Sequence, residues 1–295
     1  MPAVPTRSRA TATGFVAVLL WSGLALLTVR TAPVPPFLLS ALTFAAGGAV
    51  GLGWIAATAG WGRLRAVSWP ACAFVTAGLF GYHALYFSAL RLAPPAEAGL
   101  IAYLWPLLIV LLSGLLPGER LRAGHVLGAL VAFGGAALVV LRGGAAFAPD
   151  ALPGLALALL CALTWAGYSV LSRRMSAAPT ATVAIACLAT AALSLPLHLA
   201  FEETRWPLDA SGWLAVAGLG IGPVGIAFYA WDIGVKRGDI QLLGVASYAA
   251  PLLSTLALIL AGLADASAAL ILAALMIAAG AALAARARPR ARSGT

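Results

Sequence analysis

Two short stretches of the sequence place a phenol and a proline inside runs that are otherwise apolar. GLIAYLWPLL carries Tyr103 and Pro106, and GVASYAAPLL carries Tyr248 and Pro251 at the same spacing. A proline inside a helix removes one backbone hydrogen bond and leaves a carbonyl oxygen without its usual donor. In a membrane helix that loss is tolerated only where protein or water supplies a partner. We therefore expect a helix break at both places, beside a cavity where a substrate ammonium group could bind the freed carbonyl.

Other aromatic side chains lie deep in similar apolar runs. Tyr82, His83 and Tyr86 occupy about one face of a predicted helix, and Trp21 and Trp165 lie well inside theirs. A deep indole N–H has no partner in lipid, so these rings should face protein or water. The candidate substrate-binding residues are Trp21, Tyr82, His83, Tyr86, Tyr103, Trp105, Trp165, Tyr168, Ser247 and Tyr248; the candidate breaks or hinges are Gly78, Gly81, Pro106, Pro223 and Pro251.

A simpler interpretation is that these rings only pack helices together, since aromatic stripes usually belong to a core. A proline can also kink a membrane helix without forming a site. Two features of the sequence favour a cavity: the positions recur between the two halves of the chain, and the aromatic residues cluster with the prolines.

The candidate cavity carries no formal charge. Asp232 and Lys236 lie near one end of the eighth predicted span, and no other charged residue comes closer to the middle of any span. His83 alone titrates near neutral pH at depth, and a lone histidine is more often a hydrogen-bonded wall residue than a proton relay. We expect no metal, because no Cys, His or carboxylate cluster is visible, and no cofactor or catalytic residue.

An uncharged aromatic cavity suits a small substrate with a flat apolar side chain and a zwitterionic head. Stacking on tryptophan and tyrosine would contribute about 0.5–1.5 kcal/mol per contact. A flat organic cation also fits, held by cation–π attraction of similar or greater size.

Composition places these residues in a membrane. The 295 residues are 62% hydrophobic and 9% charged, with a mean hydropathy of +1.00, which leaves too little charge to cover a soluble surface. The apolar runs are as long as a bilayer-spanning helix requires. We predict an all-α membrane protein with ten spans at roughly 12–30, 36–57, 69–90, 95–116, 123–141, 153–173, 180–201, 211–232, 239–261 and 266–286.

The net charge of +9 does not indicate nucleic-acid binding, because the arginines lie at helix ends without interleaved aromatic residues. They indicate orientation instead. With the N-terminus inside, 14 of the 18 basic residues fall in inner segments, leaving outside Arg30, Arg91, Arg142 and Arg205. This bias predicts cytoplasmic N- and C-termini.

The chain is also duplicated. Trp21 aligns with Trp165 at a shift of 144 residues, and Tyr103 aligns with Tyr248 at a shift of 145. We predict two five-helix repeats, residues 1–142 and 153–295. Because five is odd, the second repeat enters the membrane from the opposite side. Inverted repeats are typical of transporters that bind substrate near the midplane and work by alternating access.

The run LWPLLIVLLSGLLPGERLRAGHVLGALVAFGG, with Gly118 and Glu119 followed by spaced glycines, resembles the EamA family of the drug/metabolite transporter superfamily. YHALYFSAL and AYLWPLL are more narrowly similar to the YddG-type family of bacterial aromatic amino-acid exporters. The resemblance implies ten spans in two inverted repeats, export of aromatic and some other neutral amino acids, and passage of dications such as methyl viologen. It implies as cavity residues Trp21, Tyr82, Tyr103, Trp105 and Trp165, with His83 and Ser247 beside them.

Two departures from the family pattern stand out. Ala264 replaces the acid that Glu119 supplies in the first repeat, and span 1 lacks the acidic residue that small four-helix relatives use for proton coupling. We therefore expect uniport-like transport by a monomer in the bacterial inner membrane. The alternatives are a broad drug or metabolite exporter and, less favoured, a membrane enzyme, which would need an acid–base pair, nucleophile or metal at depth.

Overall fold

The computed structural model describes residues 5–58, 60–141, 149–262 and 265–287. Ten helices in these ranges are long and apolar enough to cross a membrane, which confirms the predicted number. Numbered as spans 1 to 10, they are Arg7–Arg30, Pro36–Thr58, Trp69–Leu92, Pro95–Ser113, Ala123–Val140, Pro149–Ser172, Ala181–Phe201, Ala210–Arg237, Ile240–Leu260 and Ala268–Arg286. The described part of the chain contains no strand. Within the predicted repeats, residues 1–4, 59, 142, 263–264 and 288–295 lie outside these ranges, and Ala264 is among them.

Spans 1 and 8 extend furthest beyond their predicted bounds, for local reasons. Span 1 starts at Arg7 because the side chain of Thr6 accepts a hydrogen bond from the Arg9 N–H and caps the helix. Span 8 continues to Arg237 because its last turns bury an ion pair between Asp232 and Lys236, which compensates two charges that hydropathy alone would exclude.

Four spans are interrupted in the middle. Span 1 breaks after Trp21, span 4 after Ala102 and span 9 after Ala246. Each resumes as a second helix after two intervening residues. Span 8 instead contains a π-helical turn, Gly222–Ile226, which includes Pro223. The interruptions in spans 4 and 9 thus lie just ahead of the two prolines that suggested them.

Span 3 is a continuous helix through Gly78 and Gly81. A methyl group on Gly78 would collide with the ring of Tyr168, so this glycine allows span 3 to approach span 6 closely. Gly78 therefore has a visible role in packing span 3 against span 6. The hinge role of Gly78 and Gly81 stays a prediction.

The interface between spans 5 and 10 displays the internal symmetry. Gly128 packs against Gly280, and Gly135 packs against Ala273. At the repeat shift of 145 residues, Gly128 corresponds to Ala273 and Gly280 corresponds to Gly135. The repeat therefore converts one contact into the other. The two halves therefore meet as related copies across a pseudo-two-fold axis, in agreement with the predicted repeat.

Six further spans form two groups of three. Bundle A contains spans 3, 4 and 6, and bundle B contains their repeat counterparts, spans 8, 9 and 1. Spans 2 and 7 pack against each other, as do spans 5 and 10, and these pairs flank the bundles. The largest buried apolar cluster lies where the bundles meet, and its members come from both.

The bundles meet at one end of the molecule and separate at the other. At the end that holds Arg7, Arg120, Arg173 and Lys236, called here the basic end, the second half of span 4 packs against the first half of span 9. At the opposite end, the second half of span 1, Leu24–Arg30, has no buried residue and packs mainly against spans 8 and 9 of its own bundle. The gap between the bundles therefore widens toward the opposite end.

Candidate functional site

Four tryptophans meet at the centre of the molecule. Trp21 and Trp231 come from bundle B, and Trp105 and Trp165 come from bundle A. All six ring pairs are in contact, with centroids 5.1–6.3 Å apart. The exposed fraction of each residue is 9% or less. This tryptophan tetrad thus joins the two bundles and closes the gap on the side of the basic end.

The indole N–H groups of the tetrad are not equivalent. Trp21 donates to the carbonyl oxygen of Pro223, which lies in the π-helical turn, and Trp231 donates to the Ser169 hydroxyl, both at 3.0 Å. Among the described residues, the N–H groups of Trp105 and Trp165 have no protein acceptor, and neither belongs to the fully buried polar atoms without a partner. These two donors are therefore available to a small molecule in the gap.

A second set of aromatic groups lies above the tetrad toward the opposite end. Tyr82 lies 5.3 Å from the ring of Trp165 and stacks on Tyr86 at 6.1 Å. The ring of His83 meets Phe44 of span 2 edge-on at 4.9 Å. These span 3 side chains face other spans rather than lipid, yet they remain partly exposed. They therefore line an internal gap.

Tyr103 and His83 offer polar groups to this gap. Tyr103 is partly exposed at the break in span 4. The Nδ1 of His83 lies 2.7 Å from the carbonyl oxygen of Leu79, so Nδ1 must carry the hydrogen and donate. In the neutral imidazole the other nitrogen, Nε2, is then an acceptor.

Three of the sequence-predicted residues lie away from the gap. Ser247 is buried and donates to the carbonyl oxygen of Leu243, at 2.7 Å. Tyr248 is fully buried against Phe133, and its hydroxyl accepts the Leu107 N–H at 3.0 Å. Tyr168 is buried behind the ring of Trp165. These three side chains are thus turned into the protein interior, and they are not among the groups that we propose to touch substrate.

The break in span 9 also differs from the expectation of an open carbonyl. The Ser247 carbonyl oxygen already accepts the Ala250 N–H at 3.1 Å. In span 4, the Leu107 N–H left without its usual helix acceptor is bound by Tyr248. The protein therefore satisfies these groups itself, and the breaks matter chiefly because they turn side chains toward or away from the gap.

Sequence reasoning left three aromatic residues out of the candidate site. Trp231 lies inside predicted span 8, and it completes the tetrad. Phe228 stacks on Phe44 at 5.6 Å and also meets His83 and Trp165. The two phenylalanines have no polar atom, so nothing in the sequence separates them from other apolar core residues.

Charged groups join the bundles at the basic end. The Arg173 guanidinium lies 2.8 Å from Glu119, with only 19% and 8% of the side chains exposed. Arg7 lies 3.3 Å from Glu119 and 3.6 Å from Asp239. Burial lowers the pKa of Arg173, and the Glu119 carboxylate opposes that shift, so the guanidinium stays charged. A cavity of about 260 Å³ lies beside this cluster, separate from the aromatic gap; it is lined by Arg7, Gly118, Glu119, Arg120, Arg122, His125, Asp239 and Gln241.

Each end of the molecule also has a compensated charge cluster outside the gap. At the basic end, Lys236 lies 2.8 Å from Asp232, whose other oxygen accepts from Thr180. At the opposite end, Glu202 binds the backbone N–H of Phe37 and pairs with Arg91 at 3.1 Å. Thr180 and Glu202 lie at the two ends of span 7. Both clusters therefore connect the bundles to this flanking helix.

Comparison with known proteins gives two matches of the EamA-like transporter family, over residues 9–141 and 152–286. The aromatic amino acid exporter YddG of Ancylobacter novellus is 58% identical over 95% of this chain and 98% of its own length. Its namesake in Escherichia coli is 24% identical over 85% of this chain and 87% of its own. A crystal structure of a protein 58% identical to this chain superposes with a TM-score of 0.92, covering 95% of this chain and 97% of that one.

Proposed function

The chain belongs to the EamA-like transporter family, and on this premise we propose that it exports aromatic and other neutral amino acids across the bacterial inner membrane. It is a multi-pass membrane transporter and not an enzyme. The observation that carries the proposed substrate is the tetrad, with two N–H donors that have no acceptor among the described residues, beneath a set of partly exposed aromatic side chains. The name of the 58% identical relative supports the same substrate class.

The chemistry of the gap matches an aromatic zwitterion. The flat side chain would stack on the partly exposed ring of Tyr82, a contact that contributes about 0.5–1.5 kcal/mol. The substrate carboxylate would accept from the N–H groups of Trp105 and Trp165. The ammonium group would donate to Nε2 of His83 and to the Tyr103 oxygen. Such a site binds the head group through dipoles and needs no protein charge.

Transport would proceed by alternating access, as inverted repeats allow. Bundles A and B would rock against each other on the flanking pairs, with the tetrad separating as the gap reaches the other side. The excess of arginine and lysine at the basic end supports a cytoplasmic orientation for it, and so for the chain termini. The structure then corresponds to an outward-facing state.

We propose uniport-like movement by a monomer whose two repeats correspond to residues 1–142 and 153–295. None of the side chains proposed to contact substrate is a carboxylate that could carry a coupling proton. All proposed substrate contacts come from one chain, so a site within a single copy is complete.

Flat organic cations such as methyl viologen are a second candidate substrate. The exposed faces of the stacked Tyr82 and Tyr86 favour them, because an aromatic face attracts a cation without any carboxylate. Competition between methyl viologen and tryptophan for the same flux would support one shared site.

Flux of labelled phenylalanine and tryptophan in proteoliposomes tests the proposed function. We expect saturable flux that excess unlabelled tryptophan blocks and excess aspartate does not. Absence of flux for every aromatic amino acid tested would remove the proposal. Trp213→Ala is the control for alanine substitutions in the tetrad and should leave the flux unchanged. Trp213 is half exposed at the start of span 8, far from the tetrad.

A further inference from the structure

Arg173 makes contacts that no other described arginine makes. It follows span 6 of bundle A, and its Nη2 pairs with Glu119 in the loop after span 4, while its Nη1 donates to the carbonyl oxygens of Val235, at 3.1 Å, and Gly238, at 2.8 Å, in bundle B. One planar guanidinium thus spans both bundles, a geometry that suits its forked set of donors. We call this group of contacts the Arg173 clamp.

The internal repeat identifies the residues at the opposite end that correspond to those of the Arg173 clamp. Subtracting 144 from 173 gives Val29, and subtracting 145 from the acceptors gives Leu90 and Ala93. Arg30 aligns with Arg174 instead of Arg173. A valine has no donor, so the counterpart position cannot form the same bridge when that end closes.

The rest of the charged cluster is missing from the opposite end in the same way. Arg7 aligns with Ala151, Asp239 aligns with Pro94, and Glu119 aligns with Ala264, which lies outside the described residues. By contrast, Arg91 has a basic counterpart in Lys236, and both ends hold an anchoring cluster. The clamp is therefore the electrostatic feature that distinguishes closure at the two ends.

We propose that Arg173 is a positioning residue of the transport cycle: held by Glu119, it keeps the cytoplasmic end closed and sets an outward-facing resting state. The assignment of the basic end to the cytoplasm rests on the proposed function. Inward opening must separate the Arg173 guanidinium from the carbonyls of Val235 and Gly238. Closure of the opposite end gains no equivalent charge-assisted bond, so the two states differ in free energy.

Distances between spin labels test this without substrate. One pair, Ser8→Cys with Ser176→Cys, reports on the basic end; a second pair, Thr28→Cys with Leu92→Cys, reports on the opposite end. All four sites are exposed. The native cysteines, Cys72, Cys161 and Cys187, are first replaced by alanine. Double electron–electron resonance in lipid nanodiscs then gives the population of each distance.

Arg173→Ala should raise the population that is open at the basic end by about tenfold, the change produced by about 1.4 kcal/mol. The opposite-end pair should move closer in the same molecules, since alternating access couples the ends. Arg173→Lys should give a smaller change than Arg173→Ala, because lysine keeps the positive charge. It should still differ from wild type, because an ammonium group cannot reach all three acceptors. Glu119→Gln, which removes the ionic partner of both Arg173 and Arg7, should shift both pairs in the same direction.

Arg174→Ala is the control, since Arg174 is exposed and its one hydrogen bond, to the Leu115 carbonyl, is long at 3.4 Å. The proposal is overturned if Arg173→Ala and Glu119→Gln both leave the basic-end distances unchanged. It is also overturned if both label pairs merely broaden, which would indicate loosened packing. Neither outcome depends on amino-acid flux, so failure of the clamp and failure of the proposed substrate are separable.

Discussion

Tyr103 and Tyr248 occupy the same position in the two repeats, three residues before a proline and at the break of a span, but their surroundings differ. Tyr103 is partly exposed to the gap between the bundles. Tyr248 is fully buried, and its hydroxyl accepts the Leu107 N–H beside the break of the other repeat. One copy of the motif therefore presents its side chain to the gap where we propose that substrate binds. The hydroxyl of the other copy accepts a backbone N–H that has no helix partner at the first break.

The neighbouring positions continue this difference. Trp105 belongs to the tetrad, whereas its counterpart, Ala250, is a small buried residue. Equal backbone geometry in the two repeats thus carries unequal side-chain functions. The comparison predicts that substitutions at the first break will affect transport and that substitutions at the second will affect stability.

The largest effect should follow from Tyr248→Ala. Loss of a fully buried ring and of the Leu107 hydrogen bond should destabilise the protein by about 3–5 kcal/mol. Tyr103→Ala should cost much less, because Tyr103 is partly exposed. Unfolding in detergent by heat or denaturant would measure both, and equal losses would contradict the proposed division. Tyr248→Phe isolates the hydrogen bond and should cost about 1–3 kcal/mol.

Trp105→Ala should lower transport by about tenfold, because it removes both a ring of the tetrad and one of the two available N–H donors. Trp165→Ala should act similarly. Trp105→Phe keeps a ring without its N–H, so its effect should lie between those of wild type and alanine. Initial flux rates normalised to folded protein give the measurement. A wild-type rate per folded molecule in the alanine variants would favour a packing role.

Tyr103→Phe should raise the KM for tryptophan a few-fold, as expected for one neutral hydrogen bond of about 0.5–1.5 kcal/mol. The unfolding free energy should stay within about 0.5 kcal/mol of wild type, since this is a partly exposed substitution. Concentration-dependent flux and denaturant unfolding of the same preparation separate the two quantities. An unchanged KM would remove Tyr103 from the proposed contacts.

The smallest effect should come from a pH gradient. Neither break carries a carboxylate, so flux driven by a fixed tryptophan gradient should be the same whether or not a pH difference is imposed across the vesicle. A proton ionophore serves as the control. Strong dependence on the gradient would replace uniport with proton coupling and would direct attention to Asp232.

Hydropathy, proline chemistry and the internal repeat were sufficient to predict ten spans, the relation between halves and the neighbourhood of two breaks. They could not separate Tyr103 from Tyr248, because local sequence is alike at both and the difference arises from distant partners such as Phe133. They also missed Phe228, whose role depends only on where its ring lies. Arg173 was assigned to topology, since the carbonyls that it binds come close only after the bundles assemble.

The reciprocal pairing of Gly128 with Gly280 and of Gly135 with Ala273 has an evolutionary consequence. Such mirrored contacts are what two separate copies of a five-helix ancestor would make in antiparallel assembly. In an assembly of two separate, identical copies, any mutation would change both sides at once. A single chain has no such constraint, so Tyr248 can be structural while Tyr103 faces the gap.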